Sequence, residues 1–261
     1  MAKEHLQDRP GDADFMSSLA RGLAVLRCFA EQQRPMTIAQ ATIETGLSRA
    51  AVRRCLYTLT QLGYAAQEGT SYVLRPKALA LGYAYLSSNS LVARAQPILD
   101  QVRDQLHESC SLGVLEEDEV FYAARAEASR IMSVALQPGS RLPLYATSMG
   151  RVLLASLGRS VRESHLLRVN LVARTPRTQT DPREILVLLD KIAEDGFAIV
   201  DQELELGLRS VAVPVLNSSG ATVAAINIGT QAARVTMATL RSLYLPVLRR
   251  AAEELRLTGL T

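Results

Sequence analysis

Residues 37–62 read TIAQATIETGLSRAAVRRCLYTLTQL, and the order of capping, apolar and turn-forming residues predicts two short helices joined by a tight turn. Thr37 stands where an N-cap hydroxyl is wanted, Gly46 supplies the turn, and Ser48 can cap the second helix. In that second helix Val52, Cys55, Leu56, Leu59 and Leu62 recur at three- and four-residue steps, so they share one face. Arg49, Ala50, Arg53 and Arg54 fall on the opposite face near the N-terminus, with Tyr57 a turn further on. A helix buried on one side and offering guanidinium groups on the other has the form required in the major groove of DNA.

The distribution of charge agrees with this placement. The net charge is only +3, but residues 17–77 carry eight Arg or Lys against three Glu, while residues 78–261 carry nineteen charges of each sign. The basic excess therefore belongs to the segment containing the two helices. A chain of 261 residues, 48% apolar and 21% charged, can bury two cores and is ordinary in composition, which argues against disorder. No apolar leader precedes the first helix and no run reaches membrane-spanning length, so the expected location is cytoplasmic. Cys28, Cys55 and Cys110 are scattered within apolar patterns, as reduced core thiols would be, and not spaced as a disulfide frame or metal site.

Residues 1–16 mix charges with Gly and Pro and read as a mobile tail. A first helix is predicted over 17–32 with Leu19, Leu23, Leu26 and Phe29 or Ala30 inward, and Pro35 stops it. After Gly63, segments 64–67 and 71–74 flank Glu68-Gly69-Thr70 as a hairpin, and three helices with a terminal hairpin make a winged helix. Pro76 opens a further helix through KALALGYAYLSS, whose Leu79, Tyr83 and Leu86 either pack on their own domain or pair with a second copy. The remainder alternates helix and strand: helices over 91–107, 147–157, 162–169, 181–195 and 238–255, and strands over 111–116, 120–125, 131–136, 197–200, 210–215 and 221–228. The fold class is multi-domain α/β: a tail over 1–16, a winged helix-turn-helix over 17–76, a linker helix over 77–90 and an α/β sheet domain over 91–261.

Signatures of catalysis are missing. The chain has no GxSxG elbow, HExxH, CxxC, Walker loop or GxGxxG, and its three histidines, His5, His107 and His165, lie in the tail and in helices. No catalytic residue, metal ligand or cofactor is assigned. Asp201-Gln202-Glu203-Leu204-Glu205 admits two readings, a hydrolytic carboxylate pair or a solvated loop capping a pocket. Two segments read as pocket wall. In GSRLPLYATSMGR, residues 139–151, Thr147 and Ser148 stand at a helix start that either holds an anion or is simply capped by one of them. The other is GLRSVAVPV, residues 207–215, followed by AAINIG; Arg141 and Arg209 are candidate partners for a ligand carboxylate.

SLARGLAVLRCFAEQ, TIAQATIETGLSRAAVRRCLYTL, YATSMGRVLLA and DQELELGLRSVAVPV, in this order and spacing, make the chain resemble the IclR family of bacterial transcriptional regulators, and within it the branch controlling the β-ketoadipate pathway. The resemblance spans residues 17–257. It implies a winged helix, a dimerising linker helix and a GAF-like effector-binding domain, working as dimers or dimers of dimers on palindromic or repeated half-sites. It also implies pocket positions at Ser148, Met149, Asp201, Ser210, Asn227 and Gly229. Met149 and Asn227 replace smaller residues found in relatives that bind small keto acids. This favours an aromatic acid or pathway intermediate such as protocatechuate, 4-hydroxybenzoate or β-ketoadipate.

The expected function is a ligand-controlled activator of aromatic-acid catabolism genes. Thr37, Ser48, Arg49, Ala50, Arg53, Arg54 and Tyr57 meet double-stranded operator DNA, and Thr70 and Ser71 on the wing touch its backbone. The effector, a small aromatic or keto carboxylic acid, meets Arg141, Thr147, Ser148, Met149, Asp201, Glu203, Arg209, Ser210, Asn227 and Gly229. Expected partners are a second copy of the chain and RNA polymerase, with no membrane. The rivals are an enzyme acting on a small organic acid with the winged helix as an interaction module, and a DNA-binding protein without effector control.

Overall fold

The computed structural model describes residues 12–32, 34–82, 90–128 and 136–259. The chain forms two compact units, one ending at residue 88 and the other beginning at residue 89.

In the first unit, helices α1 (Ser17–Gln32), α2 (Ile38–Thr45) and α3 (Arg49–Gln61) accompany strands β1 (Met36–Thr37), β2 (Ala65–Glu68) and β3 (Ser71–Leu74). Thr37 starts α2 through a capping box: its Oγ1 accepts from Gln40 N at 3.2 Å, and Gln40 Oε1 accepts from Thr37 N at 2.9 Å. Gly46 ends α2 at φ 69, a left-handed conformation that a side chain would strain. Ser48 Oγ then accepts from Ala51 N at 3.3 Å and starts α3. Val52 and Leu56 on α3 are fully buried with Val25, Phe29, Met36, Ala41 and Tyr72. Each such Leu or Val contributes about 1.5 to 3 kcal/mol by leaving water.

Three features differ from the sequence reading. The two-residue strand β1 pairs with β3, Met36 opposite Tyr72, and turns the hairpin into a three-stranded sheet ordered β1-β3-β2. On α1 Phe29 is buried and Leu26 packs on the core as expected, joined by Ala24, Val25 and Cys28, while Leu19 is 57% exposed and Leu23 48%. Apolar residues wrap most of this helix, so periodicity alone cannot choose the packed side. Leu62 is likewise out of the core, exposed at the C-cap of α3. Beyond β3, Pro76–Ala78 is a 3₁₀ turn and residues 79–82 are helical. The rest of the expected linker helix, with Tyr83 and Leu86, lies outside the described residues, as does nearly all of the strand expected over 131–136.

The second unit is built on a six-stranded sheet ordered β6-β5-β4-β9-β8-β7, each neighbouring pair antiparallel. Its strands are β4 (Ser109–Glu116), β5 (Glu119–Ala126), β6 (Arg141–Pro143), β7 (Ala198–Asp201), β8 (Leu208–Leu216) and β9 (Thr222–Gln231). Helix α4 (Ser90–Leu106) and the C-terminal helix α8 (Leu245–Leu257) pack on one face through Leu99, Val102, Leu248 and Leu255 against Leu112, Val213 and Ile226. Helices α5 (Ser148–Ala155), α6 (Arg159–Arg168) and α7 (Pro182–Asp195) cover the other through Val152, Leu166, Ile185 and Leu189. The sheet is thus a middle layer with alternate residues serving opposite cores. The helix expected over 238–255 starts with a short turn and a π turn, Leu240–Tyr244, which sets Leu240 and Tyr244 inward before α8 begins.

Candidate functional sites

On α3 the capped N-terminus and the buried face fix what remains outward. Ser48, Arg49, Ala50, Arg53, Arg54 and Tyr57 are all exposed, Tyr57 at 63%. No carboxylate pairs with Arg49, Arg53 or Arg54 among the described residues, so their charge is available to a polyanion. Thr70 is exposed at the hairpin tip and Ser71 half-buried beside it. Thr37 is half-buried, and its hydroxyl is engaged with Gln40 in the capping box. Lys77, missed as a candidate, donates to Leu62 O at 2.9 Å and lies over the Tyr64 ring, where it braces the hairpin.

In the second unit a partly open cavity lies between the sheet and the start of α5. Strand register explains its floor. Ser210 stands opposite Gly229 and Gly229 opposite Ser109, while Asn227 stands opposite Ser111 and Ser111 opposite Arg125. Side chains at every second position share a face, so these small and polar residues line up beneath the helix start. Ala146, Thr147 and Ser148 form the facing wall, with Leu136, Val200, Leu204 and Leu208 as apolar sides. Thr147 caps α5, accepting from Gly150 N at 3.1 Å and donating to Pro143 O at 2.9 Å. Ser148 is fully buried, and its hydroxyl has no partner among the described residues. Gly150 allows the close approach: a Cβ there would lie 2.4 Å from both Leu144 Cα and Leu144 O.

The cavity thus brings together Thr147, Ser148, Ser210, Asn227 and Gly229 from the expected set. The other five are not on its lining, and each has a different environment. Arg141 pairs with Glu116 at 3.1 Å and stacks over Phe121 on the sheet edge. Met149 is buried against Gly113. Asp201 and Arg209 face each other across β7 and β8 and pair at 2.7 Å, and Arg177 approaches Asp201 at 3.0 Å. The hydrogen bond from Arg209 holds the Asp201 carboxyl below the usual carboxylate range, against the opposing effect of its burial. Glu203 accepts two bonds from Arg151, at 2.7 and 2.6 Å, and a third from Gln179 N at 2.9 Å. Arg151 is only 3% exposed and also donates to Tyr145 O, so this pair ties α5 to the loop whose Leu204 walls the cavity.

These ion pairs bear on the two readings of residues 201–205. A general acid needs a raised pKa, and Asp201 is shifted the other way. The loop caps a pocket and is pinned by arginines. No group of three His, Cys, Asp or Glu among the described residues could hold a metal ion. No described helix is long and apolar enough to cross a membrane.

Sequence reasoning missed Arg125, Tyr122 and Ser109 on the cavity floor. The available signal was an arginine closing the otherwise apolar run VFYAARA, which alone reads as a surface residue.

Residues 83–257 match the family model for the C-terminal region of the bacterial transcriptional regulator IclR, and residues 18–69 match the IclR helix-turn-helix domain. The chain is 49% identical over 253 residues to the Pca regulon regulatory protein of Pseudomonas putida, covering 97% of this chain and 87% of that one. It is 36% identical over 261 residues to the p-hydroxybenzoate hydroxylase transcriptional activator of Acinetobacter baylyi, covering 98% and 96%. Among solved structures it is similar to a double mutant of the PobR inducer-binding domain from Acinetobacter in complex with 3-hydroxybenzoic acid. That match has TM-score 0.60 and 38% identity and covers 62% of this chain and 95% of that one.

Proposed function

The chain belongs to the IclR family of bacterial transcriptional regulators, and from that premise we propose that it activates genes of aromatic-acid catabolism in response to a small carboxylic acid. Its class, a ligand-responsive DNA-binding transcriptional regulator, comes with the family. The effector is an acid of the protocatechuate, 4-hydroxybenzoate or β-ketoadipate kind, and it enters the cavity between the start of α5 and the sheet. The observation that carries this reading is Ser148: a fully buried hydroxyl without a partner, at a helix start, facing a cavity floored by Ser210 and Asn227. Buried polar groups are otherwise nearly always paired, and a ligand oxygen would complete this one.

Helix α3 meets the operator, with Arg49, Arg53 and Arg54 at base edges and phosphates and the hairpin around Thr70 on the backbone. One such helix brings only three or four side chains to base edges, which supports dimers or dimers of dimers on repeated half-sites. As an activator the assembly contacts RNA polymerase. The role is not catalytic, since the carboxylates at 201 and 203 are tied to arginines. The effector acts by binding one arrangement of the regulator better than another.

The test is a thermal-shift screen of the full chain against these acids. An acid at about one hundred times its Kd stabilises the protein by about 2.7 kcal/mol, which raises Tm by about 5 to 11 °C for a domain of this size. A panel in which no acid moves Tm overturns the effector assignment.

A further inference from the structure

Around the cavity the arginines sort into two kinds. Arg141, Arg151 and Arg209 each have a carboxylate, from Glu116, Glu203 and Asp201. Arg125 has none among the described residues. It lies half-buried on β5 and lines the cavity; its Nη1 donates to Ser111 Oγ at 3.0 Å, and its Nε is buried without an acceptor. A guanidinium has five N–H donors in a planar fork; here one is bonded to Ser111 and the Nε–H is buried without an acceptor. A cation held partly away from water without a counter-charge destabilises the fold that holds it. An anionic ligand in the cavity would offset that cost.

We propose that Arg125 receives the effector's carboxylate in a two-bond fork, and that Ser148 on the facing wall hydrogen-bonds a second oxygen of the same molecule. The inference rests on the effector reading above and goes beyond it by naming the charged anchor and its complement. The ligand class is a small acid bearing a further hydroxyl or keto oxygen. An uncharged amide of the same shape leaves the guanidinium without its counter-charge and is excluded by that deficit. The buried Tyr122 beside Arg125 keeps its proton, because burial raises its pKa, and does not compete for the cation.

The experiment uses the full chain as wild type, Arg125→Met, Arg125→Lys and Ser148→Ala. Calorimetric titrations are made with protocatechuate, 4-hydroxybenzoate, β-ketoadipate and 4-hydroxybenzamide, and Tm is recorded without ligand. Arg125→Met is expected to lose about 10- to 100-fold in affinity for the bound acid, the scale of a charged hydrogen-bonded contact. It should also lose the preference for acid over amide. Arg125→Lys keeps that preference, and Ser148→Ala weakens binding while retaining it. Without ligand, the Tm of Arg125→Met equals or exceeds that of the wild type, because an uncompensated charge has gone. Two results overturn the proposal: Arg125→Met binding the acid within about threefold of wild type, less than the weakest such contact, or an effector-free Tm clearly below wild type, the mark of a structural arginine. Wild type binding none of the acids overturns the effector reading, and the ligand-free Tm still decides Arg125: a rise supports an anion site there and a fall removes it.

Discussion

Replacing Glu203 by Gln should strip the counter-charge from Arg151, and the structure sets the scale of the loss. Arg151 is 3% exposed at its side chain and Glu203 13%, joined by two short bonds of 2.7 and 2.6 Å. The guanidinium cannot turn to water; it keeps its bond to Tyr145 O at 2.7 Å and one bond to the new amide oxygen, but loses the second bond of the fork and its counter-charge. Breaking such a buried pair from one side costs about 3 to 5 kcal/mol. For a domain of this size that is a fall in Tm of about 6 to 20 °C. Arg151→Met should cost less, since the Glu203 carboxylate reaches solvent and keeps its bond from Gln179 N. In the double variant Arg151→Met/Glu203→Gln no buried charge is left, and the stability should lie well above that of Glu203→Gln alone. Calorimetry is the suitable assay, because the chain has no tryptophan and its two units can melt separately. A Glu203→Gln transition within about 2 °C of wild type, or single effects that simply add, would refute the idea that this pair pins the loop.

Gly150→Ala should destabilise the second unit by about 3 kcal/mol or more, the upper range of overpacking. The new methyl meets Leu144 backbone atoms at 2.4 Å that no rotamer can move; an unchanged Tm would contradict the contact. Acid should weaken the same unit through Asp118 and Asp201, both lowered from 3.8, chiefly by hydrogen bonds from Arg168 and Arg209. A carboxylate with a depressed folded pKa gives stability that is present above its unfolded value and lost as pH falls through the folded one. Asp201→Asn should therefore show a smaller loss of Tm than wild type on going from pH 6 to below about 3.8, the unfolded reference. On α3, Arg53→Ala should leave Tm unchanged, because the side chain is exposed. It should weaken binding to selected DNA by about 1 to 3 kcal/mol if Arg53 contacts a base, as a filter-binding titration at fixed salt would read.

How much of this was legible beforehand depended on whether the signal was local. The caps Thr37, Ser48 and Asp181 are readable because a capping hydroxyl or carboxylate acts within its own turn. So is the turn at Asn217, whose Oδ1 accepts from Ser219 N and Ala221 N. Strands β1 and β6, of two and three residues, were too short for any period to show. The cavity depended on register. Nothing within either strand tells that Asp201 faces Arg209 and neutralises it, or that Arg125 stands beside Ser111 with no carboxylate. Ser210 and Asn227 were picked out through the family resemblance, whereas Arg125 emerged only once β4 and β5 were aligned.

The effect of effector on DNA binding by the full chain tests most directly whether the two units form one regulator. DNA selected by the protein from a random library would be titrated at fixed salt, with and without each acid that raises Tm. Control by the cavity predicts that one acid changes the Kd for that DNA by roughly 5- to 150-fold, the usual range of coupling between two sites, and that Arg125→Met abolishes the change while binding the same DNA. Identical DNA affinity with and without an acid bound at saturation would contradict it.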